Sequence, residues 1–137
     1  MLFTSTIFYV SKLYNFFMSF TYNLFLLFHF VGMAGLLGGL LAQISNKPKQ
    51  LQTLVLHSAW LALLAGVVMV GLNQMMNSKD PTVEVLDHIK ISVKFTVIGL
   101  ILLIGYLNRK RVELPNRAWA LMSLLTLSNM AIAVFWN

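Results

Sequence analysis

The chain has 137 residues, 58 % of them hydrophobic and only 10 % charged, where a soluble domain carries about a quarter charged residues. It contains no cysteine, which excludes disulfides, thiolate metal sites, iron–sulfur clusters and thiol catalysis. The net charge of +6 does not indicate nucleic-acid binding, because the basic residues cluster at the ends of apolar runs, where they set membrane orientation.

The first element is an apolar lead-in, Met1–Phe17. Phe3, Ile7, Val10, Tyr14 and Phe17 recur at 4-3-4-3 spacing, opposite Ser5 and Lys12. That pattern fits an interfacial amphipathic helix on the outer surface. It also fits a continuation of the first span into one long tilted helix. A start at Met18 is a third reading, since Met18–Ile44 holds a complete span. A cleaved signal peptide is the least favoured reading, because no small-residue cleavage site follows a bounded apolar core.

Four apolar runs follow at Leu24–Ile44, Leu51–Leu72, Leu86–Leu107 and Ala118–Trp136, each 19 to 22 residues long. A helix of that length reaches roughly 30 Å, about the thickness of the hydrocarbon core. The second and fourth runs carry no polar stripe wide enough to face water. The expected fold is all-α: a polytopic membrane protein, a four-transmembrane-helix up-down bundle over residues 18–137, preceded by the lead-in.

In the first span Gly35 and Gly39 are four apart, as are Gly38 and Ala42, and the second span carries Ser58, Ala62 and Gly66 in four-residue steps. Small-residue ridges let backbones approach closely in lipid, so they are expected to join these two spans as an antiparallel pair or to face another subunit. No internal repeat is visible, which argues against a two-fold transporter architecture.

The connector over residues 45–50 holds Lys47 and Lys49, and that over 108–117 holds Arg109, Lys110, Arg111 and Arg117. The opposite side has Lys12 and Lys79 with Asp80 and Glu84. Positive-inside bias puts both basic loops in the cytoplasm and both termini outside the cell membrane.

Ionisable groups at membrane depth are costly and usually face a bundle interior or a cavity. The candidates are His29, His57, Asp87, His88, Lys90, Lys94 and Asn129. Counting rise per residue from the outer ends, His29, Lys94 and Asn129 each lie roughly 8–11 Å deep, with Met69 near the same level. His57 lies near the cytoplasmic end and reads as structural. Asp87, Lys90 and Lys94 fall on one helical stripe, and Met122, Thr126, Asn129 and Ala133 form the expected inward face of the fourth span. Lys90 reads first as a residue snorkelling to the interface, whereas Lys94 lies too deep for that. His29 is either hydrogen-bonded to a neighbouring helix or a ligand, and with Met33 it has a spacing that suits a soft metal.

The run Leu27-Phe28-His29-Phe30-Val31-Gly32-Met33-Ala34-Gly35, with Leu86-Asp87-His88-Ile89-Lys90-Ile91, resembles the small haem-binding membrane proteins related to bacterial protoporphyrinogen oxidases and the copper-resistance D family. The resemblance covers about a third of the chain. It implies a haem b ligated by His29, with Lys90 as the functional lysine. The oxidase pattern's tryptophan after the histidine is replaced by Met33 or Ala34, and its basic residue at the helix end by Gln43. The chain is similar also to uncharacterised four-helix bacterial membrane proteins.

Three functions remain open on the sequence. An outward-facing polar site would bind haem or a metal in a redox or haem-related role, with cofactor contacts from His29, Lys90, Lys94, His88 and Asn129. His29 would be one axial ligand and His88 or Met69 the other, with the two lysines facing propionates. Alternatively the chain is a non-catalytic accessory subunit that packs through its glycine ridges, in a homo-oligomer or on another membrane protein. A proton or small-solute path is third, because all four acids lie near helix ends or in loops. No nucleophile, base and acid converge for a hydrolase.

Overall fold

A computed structural model of the protein describes residues 2–136, and side chains from Tyr9 to Trp136. The lead-in contacts expected through Phe3, Ser5 and Ile7 therefore lie outside the described side chains, and Met1 lies outside the described residues. Helix α1 spans Leu2–Leu41, α2 Thr53–Lys79, α3 His88–Asn108 and α4 Asn116–Phe135. All four are long and apolar enough to cross a membrane.

Helices α3 and α4, of 21 and 20 residues, are about 30 Å long and match a bilayer core. Helix α1 differs: its 40 residues reach about 60 Å. The lead-in and the first span are one uninterrupted helix, because the segment between them contains neither Gly nor Pro to break it.

Each helix packs against its chain neighbours, and α4 closes back on α1. The α1–α2 pair is the tightest. A Cβ at Gly32 would stand 2.5 Å from the Ala62 amide nitrogen and 2.8 Å from the Ser58 carbonyl oxygen. Gly35 faces the Ser58 hydroxyl and Gly39 the Val55 side chain. Residue numbers rise on α1 as they fall on α2, so the pair is antiparallel and the ridges meet as the spacing predicts. Gly38 is the exception, with open space around it, and Ala42 beside it is exposed.

The core comprises Leu36, Leu40, Val55, Ala59, Ile98, Ile101, Leu102 and Met122, drawn from all four helices. On the α3–α4 side Gly105 admits both Leu56 and Met122. Trp60 and Tyr106 tie α2 to α3 on the outside of the bundle through an indole-to-hydroxyl bond of 2.9 Å.

At one end of the bundle, Lys79 at the close of α2 lies over the Tyr14 ring at 3.8 Å. The part of α1 before Tyr14 therefore continues beyond α2 for about 18 Å. Phe16, Phe17 and Phe20 nearby are 63, 57 and 59 % exposed.

Candidate functional site

Three contacts fix the helix register around the polar residues. Gly66 faces both the His29 ring and Phe95, which levels α1, α2 and α3. The indole of Trp119 donates to the Leu40 carbonyl at 2.8 Å; ten residues further along α4 comes Asn129, and ten residues back along α1 comes Phe30. His29, Gly66, Lys94–Phe95 and Asn129 thus occupy one layer, as the depth count predicts.

Within that layer the His29 ring is half-buried, and its Nδ1 lies 2.7 Å from the Ala62 carbonyl oxygen. A carbonyl can only accept, so Nδ1 carries the proton and Nε2 is left as the lone-pair nitrogen. Gly66 faces the ring without being required by it, since a Cβ there would stand 3.5 Å from Nδ1, an ordinary contact.

Lys94 is half-buried, and the other basic residue on its stripe is Lys90, one turn earlier on α3. Asn129 is 3 % exposed, and its Oδ1 is buried without a hydrogen-bond partner. It shares its inward face with buried Met122 and Thr126, while Ala133, expected on the same stripe, is exposed.

Other expected members lie elsewhere. Lys90 Nζ donates to the Trp136 carbonyl at the end of α4, so it caps that helix's C-terminus, where carbonyls lack intrahelical partners. Asp87 is not on the Lys90–Lys94 stripe, because α3 starts only at His88. Asp87 is the N-cap, accepting from the amides of Ile89 at 2.8 Å and Lys90 at 3.2 Å. The Lys90 amide foremost, joined by Ile89, the Trp136 side chain and the Lys90 charge, outweighs desolvation and holds its carboxyl below the ordinary carboxylate value. His88 is exposed at the first turn of α3, and Met69 is half-buried on α2, one turn beyond Gly66. His57 is exposed, with Nδ1 3.1 Å from the Thr53 carbonyl, as a structural histidine.

The described residues contain no group of three His, Cys, Asp or Glu able to hold a metal ion. His29 is the one imidazole of the layer, held in place by its bond to the Ala62 carbonyl.

A second polar cluster escaped sequence reasoning. Lys49, counted above as an orienting loop charge, is 6 % exposed. Its ammonium donates to the carbonyls of Gln43 at 2.9 Å, Ile44 at 3.1 Å and Asn46 at 3.2 Å. It also lies 4.3 Å over the Trp119 ring. Buried Gln43 bonds the Gly39 carbonyl and the Gln50 amide, and the Leu114 amide donates to the Lys49 carbonyl at 2.8 Å. This knot ties both basic loops together beside a polar cleft of about 440 Å³ lined by Gln43, Asn46, Lys47 and Gln50. The only local signal was a lysine just past a helix C-terminus, where cations are favoured.

No protein-family model, curated protein or solved structure matches the chain.

Proposed function

We propose that this protein is a membrane-embedded haem-binding protein with a redox or haem-related role, whose site is the polar layer formed by His29, Lys94 and Asn129. The observation that carries the reading is the bond between His29 Nδ1 and the Ala62 carbonyl. It fixes the tautomer and leaves Nε2 as the lone-pair nitrogen, which a haem ligand would need. Bound haem would supply an iron centre for electron transfer; His29 would supply the imidazole, and the Lys94 ammonium would balance the acidic groups of the ligand. Lys90, engaged at the end of α4, acts one turn away as a helix cap. Positive-inside bias places both basic loops in the cytoplasm, so the layer opens outward.

The test is the visible spectrum of the protein purified in detergent. A Soret band that disappears in His29→Ala supports the reading. A colourless wild-type protein that stays colourless on haem addition overturns it.

A second reading, an accessory subunit, is favoured by one observation: Phe16, Phe17 and Phe20 of α1, just past the Tyr14–Lys79 contact, are exposed. Photo-crosslinkers at Phe16 and Phe20 should then trap a protein neighbour in native membranes. Crosslinks to lipid alone would remove it.

A further inference from the structure

Among the described residues Lys94 has no counter-charge beside it. Its stripe on α3 carries only a second cation, Lys90, and neighbouring α1 contributes His29, which is neutral when Nε2 holds a lone pair. The four acids cannot help: Asp80, Glu84 and Asp87 lie in the α2–α3 connector and Glu113 in the α3–α4 connector, outside all four helices. The Asp87 carboxylate is engaged at the start of α3. An ammonium at that depth is costly unless paired. The Asn129 Oδ1 in the same layer is a buried acceptor without a donor, and such groups carry a desolvation cost until one arrives. Cation and acceptor together specify the complement: an anion with a hydrogen-bond donor beside it.

We propose that Lys94 seats the acidic head group, a carboxylate or a phosphate monoester, of a membrane-soluble amphiphile, and that Asn129 Oδ1 accepts from a hydroxyl next to it. The inference rests on the polar layer being a ligand site but not on iron. The lipid-facing walls around the layer, with Leu27, Phe30 and Leu127 about half exposed, suit an apolar tail.

The experiment is thermal unfolding of the haem-free protein in a neutral detergent with oleate, with oleyl alcohol, or with inorganic phosphate. Oleate and oleyl alcohol share a tail and differ in the acid. Oleate is expected to raise Tm by about 3 °C or more beyond oleyl alcohol, since a ligand bound only to the folded state stabilises by mass action. That difference should vanish in Lys94→Met and persist in Lys90→Met. Should Lys94→Met not fold, Lys94→Gln is the second neutral variant. Equal shifts for acid and alcohol in the wild type overturn the proposal, as does an acid preference that survives loss of the Lys94 charge. A shift by phosphate alone equal to that by oleate keeps the seat but assigns it to a soluble anion, overturning the amphiphile. The haem reading is judged separately, by the Soret band.

Discussion

Lys49 and Lys90 sit on opposite ends of the bundle, and each donates to main-chain carbonyls, Lys49 in the turn that follows α1 and Lys90 at the C-terminal end of α4. The Trp136 carbonyl held by Lys90 is one that an α-helix leaves without a partner. Lys49 adds a cation–π contact with Trp119. Lys49→Met keeps the apolar stem but removes the donor to the Ile44 and Asn46 carbonyls and leaves the Gln43 carbonyl with only the Asn46 amide, so it should destabilise by about 1–3 kcal/mol, read as a lowered Tm in detergent. Lys47→Met, on the exposed side of the same loop, should change Tm little. Asp87 makes a pH prediction. Its folded pKa is depressed from 3.8, chiefly by the Lys90 amide, so its contribution is complete above that ordinary value and is lost as pH falls through the lower folded one. Asp87→Asn, which keeps a capping oxygen, should flatten that acid limb of a Tm–pH profile. An unchanged limb would show that the cap does not titrate.

At the scale of elements, the helices were legible because their signal is length and apolarity, which lipid enforces directly. The glycine ridges were legible for a related reason: close approach is available only where a side chain is missing. Gly32→Leu forces a side chain into the α2 backbone at Ala62 and should cost about 1–3 kcal/mol or block folding. Gly38→Ala, pointing into open space, should be neutral or stabilising, because alanine is the better helix former. The start of α3 was placed two residues early, since Leu86 and Asp87 extend the run without being helical; only the cap bonds of Asp87 mark the boundary. The Lys49 knot was not legible at all, because its partners are main-chain carbonyls that no side-chain pattern announces. The level of His29, Lys94 and Asn129 was legible from rise per residue, but not the division of roles between two lysines one turn apart.

For the whole molecule, an up-down ring with α4 closing on α1 places the two basic connectors at one end, joined through the Lys49–Leu114 main-chain bond. The absence of native cysteine makes single-cysteine labelling clean. Asn46→Cys and Asn116→Cys are expected to react with an impermeant reagent only from the cytoplasmic side, and Ser78→Cys only from outside; the reverse pattern would invert the proposed orientation. The proposed site lies in the half of the bundle toward the α2–α3 connector, away from the Lys49 knot, so site and scaffold can be perturbed separately. The most direct measurement is a haem titration of the apo-protein, followed at the Soret band, with His29→Ala and Lys47→Met in parallel. A saturable one-to-one signal in the wild type and in Lys47→Met, lost in His29→Ala, is the predicted result; a signal that does not saturate, or that His29→Ala leaves unchanged, would contradict it.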